Sequence, residues 1–291
     1  MSRRALVVTH GGRAEAVVAT QEALRVLEHA GFTPVVASEH STPDELPELE
    51  LAVVLGGDGT ILRAAELTRG REVPLLGVNL GHVGFLAEAE RDDVGEAVRR
   101  FTEGDFEVEE RGTLDVRVLR PDGGVSTQWA LNEAALEKAD RGRILEVALE
   151  VDGRPLSSFG CDGVVAATAT GSTAHAFSAG GPVVWPDVDA MILVPVSAHA
   201  LFARPIVVGP RSRFAVEVLD RSPAHGLLTC DGRRCVDVPP GSRVEVTRGT
   251  EPVRLARISP APFTTRLVNK FDLPVAGWRG RTRVSDEGGP A

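Results

Sequence analysis

Apolar positions along the chain change their rhythm near residue 104. Before it, short apolar runs alternate with longer stretches of mixed character. Residues 5–8 form a short apolar run that predicts a strand. Residues 14–29 carry apolar side chains at Val17, Val18, Ala23, Leu24 and Leu27, a spacing that predicts a helix, and Gly31 closes it. Residues 33–37 predict the next strand. Leu-Ala-Val-Val-Leu at 51–55 predicts a strand buried on both faces, and it runs into Gly56-Gly57-Asp58-Gly59-Thr60. A helix over 61–68, a strand over 73–78 and a helix over 93–101 follow. Strands alternating with helices point to a parallel sheet.

Beyond residue 104 the pattern is that of short strands. They are predicted at 113–119, 125–131, 145–151, 164–167, 213–219, 227–230, 243–247 and 254–258. Turn signals separate them, such as Pro121-Asp122-Gly123-Gly124, Asp152-Gly153 and Pro239-Pro240-Gly241. This predicts a β-rich domain of two packed sheets. Helical interruptions are expected over 172–177 and 186–191. The tail after Pro262 is Arg-rich, with apolar anchors at Phe263, Leu267, Phe271, Leu273 and Trp278 for docking. The last residues, 285–291, read as disordered.

Composition narrows the function classes. The chain has 291 residues and a net charge of −9, which argues against a general nucleic-acid binder. No apolar stretch approaches the ~20 residues of a membrane span, and residues 5–8 are too short for a signal segment. Neither membrane insertion nor secretion is expected. The three cysteines, Cys161, Cys230 and Cys235, make no disulfide framework and no zinc spacing, which suits a reducing cytoplasm. Lys138 and Lys270 are the only lysines, and no phosphate-binding G-x-x-x-x-G-K-[ST] loop exists. Phosphate here must meet arginines or backbone amides.

Three segments carry candidate chemistry. Gly56-Gly57-Asp58-Gly59 lies between the carboxyl end of a strand and a helix, where open α/β sheets bind ligands. An acid in that turn suits taking a proton from a hydroxyl or holding a cation; it equally suits capping the helix. Thr170-Gly171-Ser172-Thr173-Ala174-His175, followed by Ser178-Ala179-Gly180-Gly181-Pro182, offers hydroxyls and free amides to a phosphate or ribose, or merely caps a short helix. Asn132-Glu133, at the end of the 125–131 strand, offers two polar side chains to a ribose or an adenine edge.

In this order the segments resemble the NAD kinase family, also called ATP–NAD or inorganic polyphosphate/ATP–NAD kinases, over residues 5–281. The likeness rests on Gly56–Gly59, on Asn132-Glu133, on Asp162-Gly163 and Thr168 through Pro182, and on the Gly77-Val78-Asn79-Leu80-Gly81 and Gly84-Phe85-Leu86 run. Asp231-Gly232-Arg233 completes it. The first motif is shared with lipid kinases and phosphofructokinases; the T-G-S-T-A and S-A-G-G-P segments are not.

The resemblance implies a fold of class α/β plus all-β. A Rossmann-like N-terminal domain would span residues 1–105, a β-sandwich-like domain that binds NAD residues 106–261, and the tail 262–291 would pack back on the first. It implies phosphoryl transfer from ATP, or polyphosphate, to the 2′-hydroxyl of the adenosine ribose of NAD. Magnesium would accompany ATP, and the enzyme would be a homodimer or homotetramer. It makes Asp58 the catalytic base. Gly57 and Gly59 would let phosphates approach the backbone, and Arg63 would neutralise them. Asn132, Glu133, Asp162, Thr173, Ala174, His175, Ser178 and Ser197 would contact the dinucleotide, with Arg143 and Arg233 supplying positive charge. The chain departs from the family pattern at His175, where a tyrosine is usual, at Ala169, where a proline is usual, and at Val196-Ser197, where two asparagines are usual. These departures keep open a kinase of the same scaffold with another nucleoside acceptor. A dinucleotide-binding protein without catalysis is a further alternative, disfavoured by the retained Asp58.

Overall fold

The computed structural model describes residues 3–9, 14–81, 84–90, 93–259 and 262–275. Strand β1 (Arg3–Thr9) leads through α1 (Ala14–His29) to β2 (Phe32–Val36), and β3 (Leu51–Leu55) through α2 (Asp58–Leu67) to β4 (Leu75–Asn79). The two-residue β5 (Ala89–Glu90), α3 (Val94–Glu103) and β6 (Glu107–Arg111) follow. Next come β7 (Leu114–Leu119), β8 (Val125–Ala130), β9 (Glu133–Lys138), β10 (Leu145–Val151), β11 (Arg154–Cys161) and β12 (Gly163–Thr168). The short α4 (His175–Ser178) precedes β13 (Met191–Val196), β14 (Ile206–Val208), β15 (Arg213–Val218), β16 (Gly226–Cys230), β17 (Arg234–Val238) and β18 (Arg243–Arg248). Finally β19 (Val253–Arg257) and α5 (Phe263–Phe271) return to the start.

The first sheet has the order β2-β1-β3-β4-β19-β6, with β5 beside β4. Pairings among β1 to β4 are parallel, as the alternating pattern predicts. Leu51, Val53 and Leu55 of β3 pack on one face with α1 and α3, and Ala52 and Val54 on the other with Ile61, Ala64 and Leu67 of α2. The all-apolar run 51–55 is explained by this two-sided burial, since each fully buried leucine or valine contributes ~1.5–3 kcal/mol. Helix α1 turns a different face to the sheet than its most apolar residues suggested. Val17 and Val18 are exposed, while Ala16, Ala19, Ala23 and Leu27, spaced three and four apart, are buried.

Two antiparallel six-stranded sheets form the second unit, β11-β10-β15-β18-β7-β8 and β14-β13-β12-β9-β16-β17. Their inner faces share one core: Val116, Val147, Phe214 and Val244 from the first meet Leu136, Val164, Leu193 and Leu228 from the second. The outer face of the second sheet is small and apolar, with Ala135, Val165 and Ala167, and Ala176 of α4 packs on it. The architecture is thus an α/β domain followed by a β-sandwich.

Several boundaries differ from the sequence reading. Strand pairing crosses the divisions at 105/106 and 261/262, because β6 and β19 join the first sheet through an antiparallel ladder to each other and a parallel contact between Leu255 and Leu75. Residues 186–190 turn instead of forming a helix, and Met191 opens a buried strand. Helix α2 starts at Asp58, three residues earlier than its apolar spacing indicated. Among the tail anchors, Phe263 and Phe271 dock against other aromatics and Leu273 is exposed. Trp278 and 285–291 lie outside the described residues.

Candidate functional site

Strands β2 and β3 lie on opposite sides of β1, so the first sheet reverses its winding direction between β1 and β3. Open α/β sheets leave a crevice at such a point, outside the carboxyl ends of the strands. A cavity of about 1070 Å³ opens there. Its wall includes Val8 and Thr9 after β1, Gly56, Gly57 and Gly59 after β3, and Asn79, Leu80 and Gly81 after β4. The β16–β17 turn of the second domain closes it with Asp231, Gly232 and Arg233.

Asp58 does not cap its helix; that position belongs to Gly57. Its carboxylate is half-buried and turns toward residues 84–86. Oδ2 accepts the Phe85 N–H at 3.1 Å and Oδ1 the Leu86 N–H at 3.0 Å. Gly84 is required at this approach, because a Cβ on it would lie 2.5 Å from Asp58 Oδ1. The carboxylate is therefore fixed by two main-chain donors while its remaining lone pairs stay free to accept a proton.

Arg63 and Arg233 enter the cavity wall from the two domains. Arg63 donates to the carbonyls of Ser41 at 2.5 Å and Glu39 at 3.3 Å. Glu66 pairs with both arginines, at 3.2 Å each, and so ties α2 to the β16–β17 turn.

Asn132 lies just past the end of β8, as expected, while Glu133 opens β9, and both are buried. Asp231 organises this step into β9 from across the sheet. Its Oδ2 accepts the Leu131 N–H at 2.9 Å and its Oδ1 the Asn132 N–H at 2.8 Å, while Arg234 pairs with Oδ2 at 2.8 Å. The Asn132 carbonyl is covered by Gly171, where a Cβ would lie 2.0 Å away. Only glycine allows the T-G-S-T turn to seat on that step. Glu133 Oε2 is buried and has no hydrogen-bond partner. Burial, reinforced by the Asp231 carboxylate, pushes its carboxyl up to about 7, against the pull of the His175 N–H.

His175 opens α4 and links the two ends of β9. Its N–H bonds Glu133, and its Nε2 stands 4.0 Å from Glu137 Oε1. Thr173, Ala174 and Ser178 line the same short turn, with Ala174 N–H on the Gly171 carbonyl and Thr173 Oγ1 on that of Thr170. At the far end of β9, Asp162 pairs with Lys138 at 2.6 Å. That bond, joined by the Ser197 hydroxyl, holds the Asp162 carboxyl below the usual range. Ser197 itself sits in a left-handed backbone conformation, φ 49°.

The sequence-predicted residues thus fall into two groups. Gly57, Gly59, Arg63 and Arg233 line the switch-point cavity beside Asp58; Asn132, Glu133, Thr173, Ala174, His175 and Ser178 gather around the step into β9, and Asp162 and Ser197 lie at the other end of that strand. Arg143 stands apart, exposed, paired with Asp140 and donating to the Pro223 carbonyl at 2.8 Å. Sequence reasoning singled out the Asp231 turn but took only Arg233 from it. The signal for Asp231 was its place before a glycine at a strand end, in a left-handed conformation of φ 51° that aspartate tolerates.

Residues 41–106 match the model of the ATP-NAD kinase N-terminal domain, and residues 131–258 that of the ATP-NAD kinase C-terminal domain. The chain belongs to the NAD kinase family. A relative from Leifsonia xyli subsp. xyli named NAD kinase is 58% identical, over 96% of this chain and 97% of its own. NAD kinase 2 of Streptomyces avermitilis is 62% identical over 83% of this chain and 80% of its own. Among solved structures, an NAD kinase from Archaeoglobus fulgidus in complex with ATP is similar, with a TM-score of 0.75 and 30% identity, covering 92% of this chain and 98% of that one. A yeast NADH kinase complexed with NADH shares the fold, with a TM-score of 0.83 at 20% identity over 97% of this chain and 89% of its own.

Proposed function

We infer that this chain is an NAD kinase that moves the terminal phosphoryl group of ATP to the 2′-hydroxyl of the adenosine ribose of NAD. The observation that carries the chemistry is Asp58, fixed by two main-chain amides and set between Gly57 and Gly59 of the switch-point cavity wall. A ribose hydroxyl is a poor nucleophile, and a positioned base contributes ~10²–10⁴-fold. In the reaction the 2′-oxygen bonds to the γ-phosphorus, the bond to the ADP oxygen breaks, and Asp58 takes the hydroxyl proton. The rest is positioning and charge neutralisation. Arg63 and Arg233 supply the neutralising charge once phosphate competes with Glu66 for them. Gly57 and Gly59 keep the wall open at the backbone.

The dinucleotide runs from this point toward the step into β9. Asn132 and Glu133 hold the adenosine half, Thr173, Ala174, His175 and Ser178 line its course, and Asp162 with Ser197 meets the nicotinamide half. Magnesium would accompany the donor, ATP or polyphosphate, and would offset the charge of its phosphates. The chemistry of the cavity fits this: Arg63 and Arg233 stand in its wall to meet phosphates, and both oxygens of Asp58 already accept main-chain hydrogens. The same reading carries a cytoplasmic location, supported by three free cysteines. It also carries a homodimer or homotetramer, supported by Leu201 and Phe202 standing exposed on the loop after β13.

The test is NADP formation from ATP, magnesium and NAD. Asp58→Asn keeps an acceptor for one of the two amides and loses the base, so turnover is expected to fall at least ~100-fold, with NAD binding nearly intact. Full turnover in that variant removes Asp58 from the role.

A further inference from the structure

One of the two peptides that hold Asp58 has a second partner. The peptide joining Phe85 to Leu86 donates its N–H to Asp58 Oδ1 at 3.0 Å and offers its carbonyl to Arg266 Nη1 at 3.3 Å. The same nitrogen donates to the Ala87 carbonyl. Between them, Arg257 Nη1 donates to the Leu86 carbonyl at 3.0 Å. Three successive carbonyls thus receive two guanidinium groups. Glu88 fixes both, at 3.0 Å from Arg257 and 2.7 Å from Arg266. Its side chain is 1% exposed, and Oε1 also accepts the N–H groups of Ile258 at 3.1 Å and Ser259 at 2.6 Å.

Aromatic contacts place Arg266 on the same spot. Helix α5 carries Phe263 and Phe271, whose rings lie 5.7 and 5.9 Å from that of Phe85. The same two rings reach into the second domain, to Trp185 at 5.2 Å and Phe177 at 4.7 Å. Helix α5 therefore touches both the turn that holds Asp58 and the segment that carries Thr173 to Ser178. A buried ion cluster is a costly way to fasten a helix that already has aromatic anchors, because desolvation offsets most of its attraction. What it adds is direction. A guanidinium on a carbonyl polarises the peptide and strengthens the hydrogen bond from its N–H.

We propose that Arg266, on the C-terminal helix α5, is a positioning residue for the Asp58 carboxylate, holding and polarising the 85–86 peptide that orients it. The proposal rests on the base role given to Asp58. The experiment uses the full chain with ATP, magnesium and NAD, carrying Arg266→Gln and Asp58→Asn singly and together. Arg266→Gln is expected to lower kcat between about tenfold and a hundredfold, as misplacement of a reacting group does, with KM for NAD and ATP within about twofold. In the Asp58→Asn background the same change is expected to alter residual kcat by less than about twofold, because the group it orients is gone. Where no residual turnover is measurable, the split between kcat and KM decides.

Equal losses in both backgrounds, or a loss confined to KM, overturn the proposal. Unchanged kcat in Arg266→Gln beside an inactive Asp58→Asn overturns the positioning role alone. Full activity of Asp58→Asn overturns the base role, and the relay with it. If Arg266→Gln does not fold, Arg266→Lys replaces it. It keeps the charge but not the fork that serves Glu88 and the carbonyls together, so kcat is expected to fall at least about fivefold. Wild-type kcat in that variant overturns the proposal.

Discussion

Burial makes the Glu133 carboxyl costly to ionise. It is 7% exposed, Oε2 has no partner, and the Asp231 carboxylate faces it. Its folded value of about 7 compares with an ordinary 4.5. Each unit corresponds to 1.36 kcal/mol, so the ionised form costs the fold up to about 3 kcal/mol. The sign follows from proton binding. Between these two values the folded chain holds a proton that the unfolded chain has lost, so stability falls as pH rises through that window and is level above it. Glu133→Gln is neutral and nearly isosteric, and it still accepts the His175 N–H. The variant should gain less than about 1 kcal/mol at pH 5 and about 3 kcal/mol at pH 8.5. At about 2–4 °C per kcal/mol for domains of this size, that is a rise in Tm of roughly 5–10 °C at pH 8.5. Thermal unfolding of both proteins at the two pH values measures it. An equal gain at both, or no gain at pH 8.5, refutes the assignment. Function is expected to move the other way, with KM for NAD rising as a ribose or adenine contact is lost.

Asp231→Asn replaces an acceptor with a donor opposite either the Leu131 or the Asn132 N–H and takes from Arg234 its charged partner, leaving it the Trp129 carbonyl and ring. A loss of roughly 2–4 kcal/mol in chemical denaturation is expected; a loss under 0.5 kcal/mol would mean that Asp231 does not organise the β8–β9 step. His175→Tyr enlarges the stacking face beside β9. KM for NAD is expected to fall, and an unchanged KM would show that His175 does not weaken dinucleotide binding.

The parts of this protein legible in its sequence are those decided by neighbours along the chain. Two-sided burial wrote the apolar run of β3, strand-helix alternation wrote the parallel sheet, and the glycine-rich turn after β3 marked the ligand crevice. Even within single elements the reading went astray where packing chose among options. Val17 and Val18 are the more apolar residues of α1, yet the helix buries its alanines, because α3 and the sheet leave room for small side chains at short distance. What joined the site came from tertiary structure. Asp231 fastens residues about a hundred positions upstream, Arg266 reaches back to Phe85, and β19 re-enters the first sheet beside β4. Arg143, which the motif order placed with the ligand, stays with Pro223. Periodicity reports which face of an element is apolar and where backbone geometry is special. It cannot report which distant donor meets which acceptor, since that depends on the mutual fit of whole surfaces, and in this protein the Asp58 carboxylate is aimed by partners of that kind.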